Sequence, residues 1–218
     1  MIQPLSRTMS SQLAVLLRDR ILTGTYAPGM SLVQDSIAAE FGVSKIPVRE
    51  AFVQLRGEGL IDIFSHRGFQ VRALSVPEFE EVFELRLKIE PPAVAEGARK
   101  ATDADRTSAK KTLTMLNEAL ATGEVVAGGN LNREFHLALI VPRLQPVTAE
   151  ILGRLHTLSQ RYVQVHLSPK GRNKRATREH MALYESWADG KAREVKGLIE
   201  AHIESTRQDL AAILTSSK

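Results

Sequence analysis

The sequence predicts a mainly α-helical protein, with a small mixed amino-terminal domain followed by an all-α helical bundle. Three observations carry that reading. Leu13, Leu16, Leu17 and Ile21, then Ile37, Ala38 and Phe41, recur at helical spacing in short segments closed by glycine. Ile61 and Ile63, then Phe69 and Val71, alternate with polar residues across a turn at Ser65-His66-Arg67-Gly68, which is the pattern of a β-hairpin. Beyond Pro77 no strand pattern returns, and amphipathic segments run near 77–98, 102–122, 126–141, 146–168, 173–189 and 191–215. The boundary falls at Ala73-Leu74-Ser75-Val76-Pro77, where the proline resists continuation of the preceding element. Residues 1–73 form the first domain, 74–77 the linker and 78–218 the second domain.

In the first domain, helix one is expected from Ser10 to Thr23, stopped by Gly24 and Pro28-Gly29. Helix two fits Gln34 to Phe41, with Gly42 as a left-handed cap. Ser44 is a good N-cap for helix three, Lys45 to about Glu58, and Pro47 is tolerated in a first turn whose amides have no intrahelical partner. A helix, tight turn and helix followed by a hairpin make a winged helix-turn-helix, whose second helix enters the DNA major groove. Lys45 and Arg49, four apart, share one face at the start of that helix. There the Arg49 guanidinium can grip guanine O6 and N7, and the lysine can reach a base or phosphate. Ser44 adds a phosphate contact, and His66, Arg67 and Gly68 form the tip of the wing, where glycine permits close backbone approach. In the second domain Pro91-Pro92 is expected to break the first segment into two helices meeting near Glu90.

Composition narrows the classes. The 218 residues are 43% hydrophobic and 25% charged, as in globular chains, with no apolar run of membrane-spanning length and no signal pattern. A soluble, cytoplasmic protein is expected. The absence of cysteine excludes disulfides, thiolate metal sites and a cysteine nucleophile, so a metal would need His and oxygen ligands. The net charge of +4 suits an anionic partner without identifying one.

The stretches Leu17-Arg18-Asp19-Arg20-Ile21-Leu22-Thr23-Gly24-Thr25-Tyr26-Ala27-Pro28-Gly29, Phe41-Gly42-Val43-Ser44-Lys45-Ile46-Pro47-Val48-Arg49-Glu50-Ala51 and Leu55-Arg56-Gly57-Glu58-Gly59-Leu60 resemble the DNA-binding domain of GntR-family bacterial transcription regulators. Lys45 stands where that family usually has arginine and Ile46 where it usually has threonine. Lysine does not reproduce bidentate guanine recognition, so a different half-site is implied.

Three of the six histidines show a pattern. Asn132 and His136 lie one turn apart on one helix face, His180 aligns with Leu183, Tyr184 and Trp187, and His202 aligns with Val195, Leu198 and Ile199. Three inward imidazoles and an amide oxygen suit a borderline divalent ion such as Zn²⁺, Ni²⁺ or Co²⁺. His156 and His166 show no pattern and read as structural or solvated. The second domain resembles the FCD effector domain of the FadR subfamily, whose metal-binding members carry an Asp-x-x-x-His pair and two later histidines. That resemblance assigns the metal to Asn132, His136, His180 and His202, with Asn132 replacing the usual aspartate. It also implies a small carboxylate metabolite on the metal, with Arg86 in Glu84-Leu85-Arg86 reaching its acid group and Arg161 and Tyr162 as further lining candidates. The competing reading of Arg86 is a helix-surface salt bridge with Glu84 or Glu90.

The resulting expectation is a homodimeric, ligand-responsive regulator, in the first instance a repressor, on a palindromic operator. Two alternatives remain: a DNA-binding protein whose helical domain has a structural metal or none, and a metal-dependent hydrolase. The second needs a general base, and Glu134 and Glu179 are expected to point off the ligand face. The run Lys170, Arg172, Lys174, Arg175 and Arg178 reads as a basic connection.

Overall fold

The computed structural model describes residues 8–64, 68–141, 143–165 and 172–216. The chain divides into two compact units, Met1–Leu74 and Ser75–Lys218.

In the first unit, α1 (Met9–Leu22), α2 (Gln34–Phe41) and α3 (Lys45–Gly57) pack over a sheet of β1 (Ser31–Leu32), β2 (Ile61–Phe64) and β3 (Gly68–Val71). Thr8 caps α1 by accepting a hydrogen bond from the Ser11 amide. Gly42 closes α2 at φ 64°, a left-handed conformation that glycine adopts without steric cost and that turns the chain into α3. The core gathers Leu13 and Leu17 of α1, Val48, Phe52 and Leu55 of α3, Leu60 just before β2, and Ile61 and Val71 of the sheet. The rings of Phe52 and Phe69 lie 4.7 Å apart and join helix to sheet. The sheet order is β1-β3-β2, antiparallel throughout, with Ile63 opposite Phe69 and Leu32 opposite Phe69 on the other edge. The hairpin therefore gains a third strand. A two-residue strand is too short to show alternation, and it forms because Leu32 is buried beside Phe69. The turn residues Ser65, His66 and Arg67 lie outside the described residues.

The second unit contains α4 (Val76–Lys100), α5 (Asp103–Thr122), α6 (Val125–Ile140), α7 (Pro146–Val165), α8 (Arg172–Ala188) and α9 (Ala192–Ser216). Helix α4 is the hub, packed against α6, α7, α8 and α9. Its N-cap Ser75 accepts from the Glu78 amide, and Thr102 and Asp105 form a capping box at the start of α5.

The expected break at Pro91-Pro92 does not occur, and α4 runs unbroken through both prolines. Proline removes the amide that would bond the carbonyl four residues earlier. For Pro92 that carbonyl belongs to Lys88, and both residues are exposed, so water can satisfy it. Phe83, Arg86 and Glu90 before the prolines and Ala93, Val94 and Gly97 after them are buried. Tertiary packing on both sides thus outweighs the local preference. The basic run is also revised: Arg172, Lys174, Arg175 and Arg178 lie on α8, not in a connection, Arg175 forms ion pairs with Glu179 and Asp209, and Lys170 lies outside the described residues.

Candidate metal centre and DNA-reading head

Helix α3 buries Val48, Ala51, Phe52 and Leu55, which turns the opposite face outward. Ser44, Lys45 and Arg49 are all exposed at its amino end. Ser44 occupies the N-cap position, but its hydroxyl makes no capping bond, which leaves it available. Lys45 Nζ stands 2.6 Å from Asp35 Oδ1 in a solvent-exposed ion pair. Such a pair contributes only about 0–1 kcal/mol, so a phosphate can displace the aspartate. Arg49 has no ion pair among the described residues, and Gly68 opens β3 at φ 76°.

In the second unit, His136 of α6, His180 of α8 and His202 of α9 converge. One ring nitrogen of each lies within 4.8 Å of the others, and all three residues are buried. Ring centroids are 5.5 Å apart for His136 and His180, 5.2 Å for His136 and His202, and 4.8 Å for His180 and His202. Asn132 is half-buried one turn before His136.

The donor set fits a divalent ion. Nε2 of His136 and both ring nitrogens of His180 are buried without hydrogen-bond partners. A buried polar atom left unpaired costs about 1–3 kcal/mol, which a metal bond would remove. The protonation state suits this as well. Burial above all, offset in part by the Glu90 carboxylate, pushes His136 down to about 3. Burial, then the neighbouring charges of His202 and His136, hold His180 well below the usual histidine range. Neutral imidazoles are the ligand form.

Two residues that the sequence did not single out complete the cluster. Glu90 of α4 is fully buried, and its Oε1 accepts from His136 Nδ1 at 2.6 Å and lies 3.2 Å from His156 Nε2. Burial opposes its charge, but Arg86, His156 and His136 together bring its pKa well below the usual carboxylate range. His156, read from sequence as structural or solvated, is a buried member of this network, its pKa lowered first by burial and then by Arg86. Helical spacing cannot reveal a contact 66 residues away in the chain. His166 lies outside the described residues.

The residues expected to line an effector pocket each have a partner within the protein. Arg86 is buried, its Nε 3.0 Å from Glu90 Oε2 and its Nη1 donating to Ser159 Oγ at 3.2 Å. The salt bridge with Glu90 therefore exists, but in the core and not on a helix surface. The Tyr162 hydroxyl donates to the Ser75 carbonyl at 3.1 Å, and Arg161 lies 3.8 Å from Glu78. Both thus face the start of α4. Glu134 is exposed, whereas Glu179, expected to point away, reaches His202.

A pH dependence follows for the metal-free protein. Unfolded histidines titrate near 6.5, while His136, His156 and His180 hold lowered values when folded, so below 6.5 the unfolded chain binds more protons. The stability contributed by neutral burial is present above pH 6.5 and lost as pH falls toward about 3, the His136 value. Chelator-treated protein is expected to lose at least about 2 kcal/mol, or roughly 5 °C in Tm, between pH 7.5 and 5. Equal thermal melts at the two pH values would refute this.

Comparison with known proteins matches residues 9–71 to "Bacterial regulatory proteins, gntR family" and residues 81–205, more than half of the chain, to the FCD domain. The chain belongs to the GntR family, with an FCD domain. It is 25% identical over 206 residues to YdhC of Bacillus subtilis (strain 168), described as an uncharacterized HTH-type transcriptional regulator, covering 93% of this chain and 91% of that one. The HTH-type transcriptional regulator McbR of Escherichia coli (strain K12) is 25% identical over 198 residues, covering 90% and 89%. Among solved structures, a putative GntR transcriptional regulator from Rhodococcus sp. RHA1 superposes with a TM-score of 0.79 at 23% identity, over 93% of this chain and 97% of that one. This GntR-family chain is a DNA-binding transcriptional regulator and not an enzyme. No helix among the described residues is long and apolar enough to cross a membrane.

Proposed function

We propose that this GntR-family regulator is a cytoplasmic homodimeric repressor of a palindromic operator, controlled by a small carboxylate metabolite bound through a divalent ion in its FCD domain. The convergence of His136, His180 and His202 with unpaired, buried nitrogens carries the reading. Those residues, with the Asn132 amide oxygen, would hold the ion, which would supply Lewis acidity and a positive charge for a ligand oxygen. Zn²⁺ or Ni²⁺ suits this nitrogen-rich set. Arg86 serves the core through Glu90, and Arg161 and Tyr162 steady the start of α4, so the ion is the principal anchor for the metabolite's acid group.

Two copies of α3 related by a twofold axis would match the two halves of a palindrome, each with Ser44, Lys45 and Arg49 presented to the DNA. His66, Arg67 and Gly68 would add wing contacts. A dimer seated on a promoter excludes other proteins by occupancy. The metabolite acts through unequal affinity for the DNA-competent and incompetent arrangements, a coupling typically worth about 1–3 kcal/mol.

Elemental analysis of untagged protein, purified without added metal and again after Zn²⁺ loading, tests the centre. About one ion per chain is expected, and none after loading would end the reading. At the head, Arg49→Ala is expected to weaken binding to an operator selected from random DNA by about 1–3 kcal/mol, roughly 5- to 150-fold at fixed salt. Unchanged affinity would remove Arg49 as the base reader.

A further inference from the structure

The same three-part arrangement occurs twice around the histidine cluster. On α4, Arg86 and Glu90 are four residues apart and ion-paired, Nε to Oε2 at 3.0 Å, while the other Glu90 oxygen meets His136 Nδ1 at 2.6 Å. On α8, Arg175 and Glu179 are likewise four apart and ion-paired, Nε to Oε1 at 3.3 Å, while the other Glu179 oxygen meets His202 Nδ1 at 2.7 Å. In each, the arginine lies against one carboxylate oxygen while the second meets an imidazole on a different helix; Arg86 Nε donates a hydrogen bond to its oxygen, whereas Arg175 holds Glu179 by charge alone and donates to Asp209.

An ionised carboxylate only accepts hydrogen bonds, so each ring must carry its proton on Nδ1. In the neutral ring, which is the ligand form, the lone pair then sits on Nε2, and the His136 Nε2 is buried and unpartnered. His180 differs: neither of its nitrogens has a hydrogen-bond partner, so nothing but packing orients it. Carboxylates that accept from a ligating imidazole's distal N–H fix its tautomer and raise its basicity. Asn132 bears on this directly, because with a neutral amide in the aspartate position the proposed ligand set contains no anion. The nearest negative charges then stand one hydrogen bond further out, on Glu90 and Glu179.

We propose that Glu90, hydrogen-bonded by Arg86, and Glu179, ion-paired with Arg175, are positioning residues of the metal centre that make His136 and His202 present Nε2 to the ion. This rests on the metal reading above. It deepens that reading by placing the centre's negative charge behind the ligands and by predicting which nitrogens bind. His156 reinforces one side only, through its contact with Glu90 at 3.2 Å.

The test uses the full chain with Zn²⁺ as the probe and the variants Glu179→Gln and Glu90→Gln. Glu179 is partly exposed, so its variant is the one expected to fold unchanged, whereas Glu90 is fully buried. Competition with a chromophoric chelator should show Zn²⁺ affinity lowered about 10- to 100-fold in Glu179→Gln, with the metal-free melting temperature kept. Long-range ¹H–¹⁵N spectra of the metal-free wild type above pH 7 should show His136 and His202 as Nδ1–H tautomers, and Glu179→Gln should shift His202 alone. Wild-type zinc affinity with an unchanged His202 tautomer in Glu179→Gln would overturn the proposal. A wild type with the stated tautomers that binds no zinc would instead overturn the metal centre, and the two failures are therefore separable.

Discussion

Replacing Gly97 with alanine is expected to destabilise the helical unit by about 3 kcal/mol or more, among the larger effects of any single methyl group in this chain. A Cβ at Gly97 would stand 2.0 Å from the Leu139 carbonyl oxygen and 3.1 Å from Trp187 Nε1. That carbonyl already accepts from Trp187 Nε1 at 2.8 Å, so α4, α6 and α8 meet at one buried point. The obstacle is main chain, which no rotamer change can move aside, and relief requires α4 to slide from α6. Since α4 also carries Glu90, the slide would disturb the contact with His136. Thermal melts should show Tm lowered by roughly 6–12 °C. The control is Gly197→Ala on α9, where a Cβ meets nothing within 4 Å and helix propensity favours alanine by about 0.5–1 kcal/mol. Equal Tm values for the two variants would show that the close approach is not tight in solution.

What was legible in the sequence divides along physical lines. Apart from the break expected at Pro91-Pro92, helix boundaries in both units lie within a few residues of expectation, because periodicity and the αL glycine at Gly42 act locally. The inward faces of His136, His180 and His202 were legible for the same reason: each shares a helical stripe with apolar neighbours. Local rules failed wherever the deciding partner was distant. Pro91 and Pro92 should end a helix, yet packing from four other helices holds α4 continuous. His156 showed no stripe of its own, and its place depends on Glu90 across 66 positions. Glu179 is expected from its spacing to point away from the face of His180. It does leave that face, but the path leads to His202 on the neighbouring helix. One signal was available, since Arg-x-x-x-Glu occurs at 86–90 and again at 175–179, and Glu179 directly precedes a candidate ligand. A buried Arg–Glu pair and a surface one have the same spacing, so burial was needed to tell them apart.

The second large effect concerns His180. Both of its nitrogens are buried without partners, so its polarity contributes no hydrogen bond to the metal-free fold, and its imidazole is a cost until an ion arrives. His180→Ala is therefore expected to abolish stoichiometric zinc binding while changing the metal-free protein only through packing beside Phe135, whose ring centroid lies 5.3 Å away. In the wild type, zinc at 100 times its Kd should stabilise the fold by about 2.7 kcal/mol, or roughly 6–10 °C in Tm, and the variant should lose that gain entirely. Operator affinity without metabolite should stay near the wild-type value, because His180 lies in the second unit and the DNA-reading residues Ser44, Lys45 and Arg49 lie in the first. A variant that still carries one zinc per chain with the full rise in Tm would exclude His180 as a ligand. One that loses both zinc and its metal-free fold would mean that His180 is a packing residue first, and His180→Phe, which refills the volume without a ligand atom, would then restore stability but not zinc.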